Sequence, residues 1–220
     1  MISGFSIISA TTFFLLFFLL PCGNAGAAGN AVLDTNGRPL RARSRYYIVP
    51  VAHGQGGGLT MLSKNTTSFC PLYVVQEMYP GLPVWFLPNN PRQRLVTLSS
   101  DLNILFNAIS NCLQSVGWQL TVDHTTGRKY VATGGAIGNP GEETVSSWFN
   151  IEKVRTIGRR GNESGNHYKI VFCPNVCEFC MVMCGDVGVF VQEDGTRLLA
   201  LTDRPLHVMF KKAKGRSLSS

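Results

Sequence analysis

The chain has no run of five or more lysines and arginines, although its formal net charge is +7. Its densest basic cluster is Arg38, Arg41, Arg43 and Arg45, followed by Tyr46-Tyr47. A nucleic-acid or membrane-surface binder concentrates its charge in such runs, so the excess reads as a solvated basic face, with neither partner implied. No apolar run is long enough to cross a bilayer: the longest, from Ile7 to Leu20, is roughly 14 residues against about 20 needed. Histidines are few and scattered (His53, His124, His167, His207) and read as surface or loop residues. Cys177-x-x-Cys180 has no second CxxC or histidine pair to complete a zinc site. Gly134-Gly135-x-x-Gly138 lacks the strand–helix frame and downstream acid of a dinucleotide site. These gaps argue against an enzyme and against a metal or cofactor.

The first 28 residues carry no charged side chain. The apolar run passes into Pro21 and the small residues Gly23-Asn24-Ala25-Gly26-Ala27-Ala28, the pattern of a secretory signal peptide cleaved between Ala25 and Ala28. That gives a signal segment 1–28 and one domain over 29–220, secreted and finally extracellular or vacuolar. Cleavage removes Cys22 and leaves Cys70, Cys112, Cys173, Cys177, Cys180 and Cys184. An even number behind a signal peptide implies a disulfide framework. The sequons at Asn65 and Asn162 fit glycosylation on surface loops of a secreted chain.

Short apolar pieces rich in Val, Ile, Tyr, Phe and Trp follow one another: 46–51, 59–62, 72–76, 84–87, 94–98, 118–122, 129–133, 148–154, 168–173, 187–192, 197–202 and 207–211. Turn signals such as Asn36-Gly37, Asn139-Pro140-Gly141 and Asp194-Gly195 punctuate them. About a dozen closely spaced strands predict an all-β barrel or sandwich. One segment reads differently. Leu102, Leu105, Phe106, Ile109, Leu113 and Val116 sit at helical spacing behind Asp101, a possible N-cap, so periodicity predicts a helix over 102–116. Aromatic-led strands recur, but at no fixed period.

The stretch Val32-Leu33-Asp34-Thr35-Asn36-Gly37-Arg38-Pro39-Leu40, followed after five residues by Tyr46-Tyr47-Ile48, resembles the signature of the soybean-type Kunitz inhibitors. Cys70-Pro71-Leu72, Trp148-Phe149, Tyr168 to Pro174 and Cys184-Gly185-Asp186-Val187-Gly188 are similar to the same family in order. The cysteine spacing from Cys173 to Cys184 resembles its miraculin-like branch. The resemblance covers about residues 31–212. It implies a β-trefoil of twelve strands in three pseudo-repeats, a barrel capped by three hairpins, with 102–116 as strand and loop instead of helix. It also implies the pairings Cys70–Cys112, Cys173–Cys184 and Cys177–Cys180, where the cysteines alone leave many connectivities open.

The resemblance places a protease-binding loop at Asn90-Pro91-Arg92-Gln93-Arg94, with Arg92 as the primary-site residue and Arg92-Gln93 as the scissile bond. Its implied partner is a trypsin-like serine endopeptidase. An exposed arginine there makes chemical sense, because a guanidinium meets the aspartate of a trypsin-like S1 pocket in a bidentate, charge-assisted bond. Inhibitory members prop this loop from behind with an asparagine side chain, and the corresponding position here is Ala42. Unless water or another side chain substitutes, the loop is softer and more readily cleaved. A non-inhibitory storage, defence or glycan-binding trefoil is the alternative, with Trp85, Trp118 and Trp148 either core packing or sugar-stacking residues. The segment 154–161 lacks the interchain cysteine of some miraculin-like proteins, which implies a monomer.

Overall fold

In the computed structural model, residues 29–52, 54, 56–64, 69–154 and 165–214 are described. The signal segment, His53 and both sequon asparagines, Asn65 and Asn162, lie outside them. Among the described residues twelve strands follow in order: β1 (Arg45–Pro50), β2 (Leu59–Ser63), β3 (Leu72–Gln76), β4 (Val84–Pro88), β5 (Leu102–Phe106), β6 (Trp118–Val122), β7 (Lys129–Thr133), β8 (Asn150–Lys153), β9 (Tyr168–Phe172), β10 (Gly185–Val191), β11 (Arg197–Leu201) and β12 (Val208–Lys212).

Six strands close a barrel. β1 pairs with β4, β4 with β5, β8 with β9, β9 with β12 and β12 with β1, all antiparallel. The remaining seam, between β5 and β8, is made by Leu102 and Phe149, whose N–H groups donate to each other's carbonyls at 2.9 and 3.0 Å. The other six strands form three hairpins, β2–β3, β6–β7 and β10–β11. Their second strands meet in a triangle through Tyr73–Ala132, Tyr130–Ala200 and Val75–Leu198. A closed barrel with a three-hairpin cap is a β-trefoil. The four-strand repeats begin at Arg45, Leu102 and Tyr168, so they are unequal in length and show no fixed period in the sequence.

The interior follows the period of two that a pleated strand imposes. Tyr46 and Ile48, Val84 and Phe86, Tyr168, Ile170 and Phe172, and Val208 and Phe210 all turn inward and are almost fully buried. Phe86 meets Phe210 edge-on at 5.3 Å between ring centroids, and Phe149 meets Phe172 at 5.6 Å. A smaller cluster of Val75, Tyr130, Leu198 and Ala200 fills the triangle of the cap.

The helix read from periodicity over 102–116 does not form. Residues 102–106 are β5, every one buried, and the chain continues as a loop in which Ile109 and Leu113 stand in solvent. The helical spacing is coincidental: Leu102, Ile104 and Phe106 face the barrel, and β4 supplies a ladder partner for each β5 residue. The apolar piece 94–98 is not a strand. It forms single bridges, Arg41–Leu95 and Ala31–Thr97. Among the described residues three disulfides are present, Cys70–Cys112, Cys173–Cys184 and Cys177–Cys180, so the Cys177-x-x-Cys180 thiols are bridged.

Candidate protease-binding loop

The loop between β4 and β5 is held at its root, along one arm and at its tip. At the root, Asn89 N–H donates to the Asp101 carbonyl at 2.9 Å. Asp101 is buried, and its carboxylate accepts the Asn175 N–H at 3.2 Å from each oxygen, tying the loop to the disulfide-stapled β9–β10 connection. Burial pushes the Asp101 carboxyl above its ordinary range, against the pull of the Asn175 and Asn150 hydrogen bonds. Its sequence reading as a helix N-cap is replaced by this tie between two loops.

The outgoing arm, 94–98, is laced to the N-terminal segment. Val32 N–H donates to Val96 O, Val96 N–H to Leu40 O, Leu98 N–H to Asn30 O and Ala42 N–H to Arg94 O, each at 2.9 Å. Val32, Leu40 and Val96 are fully enclosed beneath this lacing. The recognisable N-terminal motif is what shapes the segment. The Asp34 carboxylate accepts the N–H groups of Asn36 and Arg38 at 2.8 and 3.0 Å. Gly37 supplies the φ of 73° that this turn requires. Tyr46 and Tyr168 reach out of the barrel to accept the Arg41 and Leu33 N–H groups at 3.0 and 2.9 Å. Burial raises the pKa of both phenols above the ordinary tyrosine value.

At the tip, Asn90, Pro91, Arg92 and Arg94 are exposed and Gln93 is half-buried. Asn90 starts a tight turn. Its side-chain oxygen accepts the Arg92 N–H at 3.0 Å, and its carbonyl accepts the Gln93 N–H at 3.0 Å. Pro91 sits at the second turn position, where its fixed φ suits the bend. Gln93 folds under the loop, its amide donating to Leu95 O at 2.7 Å and to Thr97 Oγ1 at 3.0 Å.

The brace comes from Arg43, one residue beyond Ala42. Arg43 lies in the left-handed region, with φ 59°, and its N–H donates to Phe86 O at 3.1 Å. That backbone turns its side chain across the loop, where Nη2 donates to the Pro91 carbonyl at 3.2 Å. In the sequence Arg43 counts only as part of a basic cluster. The one signal available is its place beside Ala42, and nothing in spacing foretells a non-glycine residue at positive φ.

The three tryptophans divide. Trp118 and Trp148 are enclosed at 1% exposure each, whereas Trp85 is half-buried on the outer face of β4. Trp148 donates to Thr144 Oγ1 at 3.1 Å and packs as core. Among the other residues singled out, His124 and His207 are exposed and His167 is half-buried.

The legume Kunitz family, described as trypsin and protease inhibitor, matches residues 32–212. The chain belongs to that family. Miraculin of Synsepalum dulcificum is 42% identical over 220 residues, covering 94% of this chain and 96% of the relative. Kunitz trypsin inhibitor 5 of Arabidopsis thaliana is 46% identical over 191 residues, covering 85% and 88%. Among solved structures, the Kunitz-type cysteine protease inhibitor from potato superposes with a TM-score of 0.71 at 30% identity, covering 84% of this chain and 98% of that one. Members of the family are inhibitors rather than enzymes, and the relatives show that targets differ within it.

Proposed function

We propose that this protein is a secreted, monomeric inhibitor of trypsin-like serine endopeptidases that offers Arg92 to the S1 pocket, and that it does not itself catalyse a reaction. The observation that carries this reading is the exposed Arg92 next to a carbonyl, that of Pro91, gripped by Arg43 from across the loop. A loop held on both sides of its primary residue loses little entropy on docking and is slow to move apart after cleavage, which favours inhibition over turnover. The guanidinium supplies charge and bidentate geometry for an S1 aspartate. The signal-like segment and the disulfides support an extracellular or vacuolar destination.

A second reading rests on the turn itself. A peptide enters a protease cleft extended, and the Gln93-to-Asn90 hydrogen bond has to break first. That bond and Ala42 favour a non-inhibitory storage or defence protein, whose loop is cut on encounter. Titrating bovine trypsin with the purified mature protein, then sizing the chain on a reducing gel, separates the two. Stoichiometric inhibition with the chain intact, or nicked only at Arg92-Gln93, supports the inhibitor. Rapid cleavage within 88–95 without inhibition supports the alternative. Arg92→Ala is expected to remove trypsin inhibition and leave the melting temperature unchanged, and undiminished potency in that variant would move the site elsewhere.

A further inference from the structure

Trp85 borders a concavity of about 430 Å³, also lined by Arg43, Ser44, Arg45, Asn107 and Lys212. This volume lies within the range of small-ligand sites. Arg45 is the cross-strand partner of Trp85 and shares its outer face, and Lys212 lines the same concavity. Among the described residues no carboxylate lines the concavity, and none forms an ion pair with Arg43, Arg45 or Lys212. Three cationic residues lining one concavity repel one another, and a bound anion relieves that repulsion.

The lining is chemically mixed in a way that narrows the ligand. The indole offers a flat apolar face with a polar edge. Asn107 carries both a donor and an acceptor, and Ser44 a hydroxyl, which suit sugar hydroxyls. Guanidinium and ammonium groups suit carboxylates. A pyranose ring with its C–H face on an indole, its hydroxyls on an amide and its carboxylate on cations is a uronate. A single-stranded nucleic acid also stacks on aromatic rings, but it tracks a groove with successive aromatic platforms. Here Trp85 is the single aromatic among the lining residues, with no second platform beside it.

We propose that this concavity binds a carboxylated oligosaccharide, with a uronate ring on Trp85 and its carboxylate between Arg45 and Lys212. Arg92 takes no part in the site, while Arg43 both lines it and braces the protease-binding loop.

The test uses the full mature protein and hexagalacturonate at low ionic strength, by calorimetry and by tryptophan fluorescence. Saturable binding with a change in indole emission is expected. In Trp85→Phe that emission change disappears, because Trp118 and Trp148 are enclosed. Arg45→Gln and Lys212→Gln each weaken binding by about tenfold, the loss of one charge-assisted bond. Arg128→Gln removes the same charge from the hairpin cap, where its guanidinium stacks on Phe190 at 3.8 Å, and leaves the affinity unchanged. Arg92→Ala also leaves it unchanged. Absence of binding overturns the proposal. So does equal binding of cellohexaose or of a thymidylate hexamer, or an equal loss in Arg128→Gln, each of which reduces the site to a general surface effect.

Discussion

Replacing Arg43 by alanine isolates the brace on the protease-binding loop. Both residues carry a Cβ, so the left-handed backbone at φ 59° is held at similar strain, and what is lost is the Nη2 bond to Pro91 O at 3.2 Å. A charged donor on a carbonyl contributes about 1.5–3 kcal/mol when enclosed. Arg43 is exposed, and solvent screening reduces this to about 1 kcal/mol. In the inhibitor reading, that loss appears as a trypsin inhibition constant weakened about fivefold. It also appears as faster hydrolysis at Arg92-Gln93, read by mass spectrometry of the recovered chain. Arg43→Gly loses the same brace but sheds a left-handed cost of about 1 kcal/mol. Its melting temperature is therefore expected above that of Arg43→Ala, with inhibition no stronger. If Arg43→Ala binds trypsin as tightly as the parent and is cut no faster, Arg43 is not the brace and the reasoning fails.

Other consequences are open to simpler measurements. The Cys70–Cys112 bridge spans 42 residues, and opening it by the double alanine variant is expected to cost about 4 kcal/mol in denaturant unfolding, from loop entropy. A loss below about 1 kcal/mol would mean that the unfolded chain is not constrained by that bridge. At alkaline pH, Tyr46 and Tyr168 act together: their folded pKa values are raised by burial, so their contribution is whole below the ordinary tyrosine value and is lost as pH rises through the raised one. Thermal melts between pH 9 and 12, followed with tyrosinate absorbance, are expected to fall along this limb. Tyr168→Phe should flatten it while lowering stability at neutral pH by about 1 kcal/mol for the orphaned Leu33 N–H. An unchanged alkaline limb in Tyr168→Phe would assign it to other groups. Lys169 bonds Asp186 at 2.7 Å and Glu152 at 3.1 Å across three strands. Its pKa is raised, first by the Asp186 bond, and Lys169→Met is expected to remove a further part of the same loss above its ordinary value. A limb as steep in that variant as in the parent would show that the lysine contributes nothing there.

Much of the architecture was legible because strands declare themselves through side-chain chemistry. Eleven of the twelve apolar pieces correspond to strands, since Val, Ile and aromatic residues alternating with polar ones suit a surface buried on one face. The twelfth strand was hidden. In β5 both faces are covered, so Leu102, Asn103, Ile104, Leu105 and Phe106 show no alternation, and their spacing also fits a helix. Only the partner strand β4 and the seam with Phe149 decide between them. The piece at 94–98 failed in the opposite sense: its residues suit a strand, but the neighbour that laces them is the irregular segment 30–42, which gives bridges without a ladder.

The loop shows the same division. By itself the sequence determined which residues are available: an arginine between proline and glutamine, an alanine at position 42, six cysteines behind a signal-like segment, and the Asp34–Gly37 turn with its tyrosine. These are local facts of composition and spacing. Tertiary structure alone decided that Arg43 reaches Pro91 across 48 positions, that Asp101 joins two loops, and that Trp85 rather than Trp118 or Trp148 keeps a face toward solvent. The physical reason is that a hydrogen bond or a buried face depends on which strands become neighbours when the barrel closes, and closure joins residues whose separation along the chain carries no periodic signal.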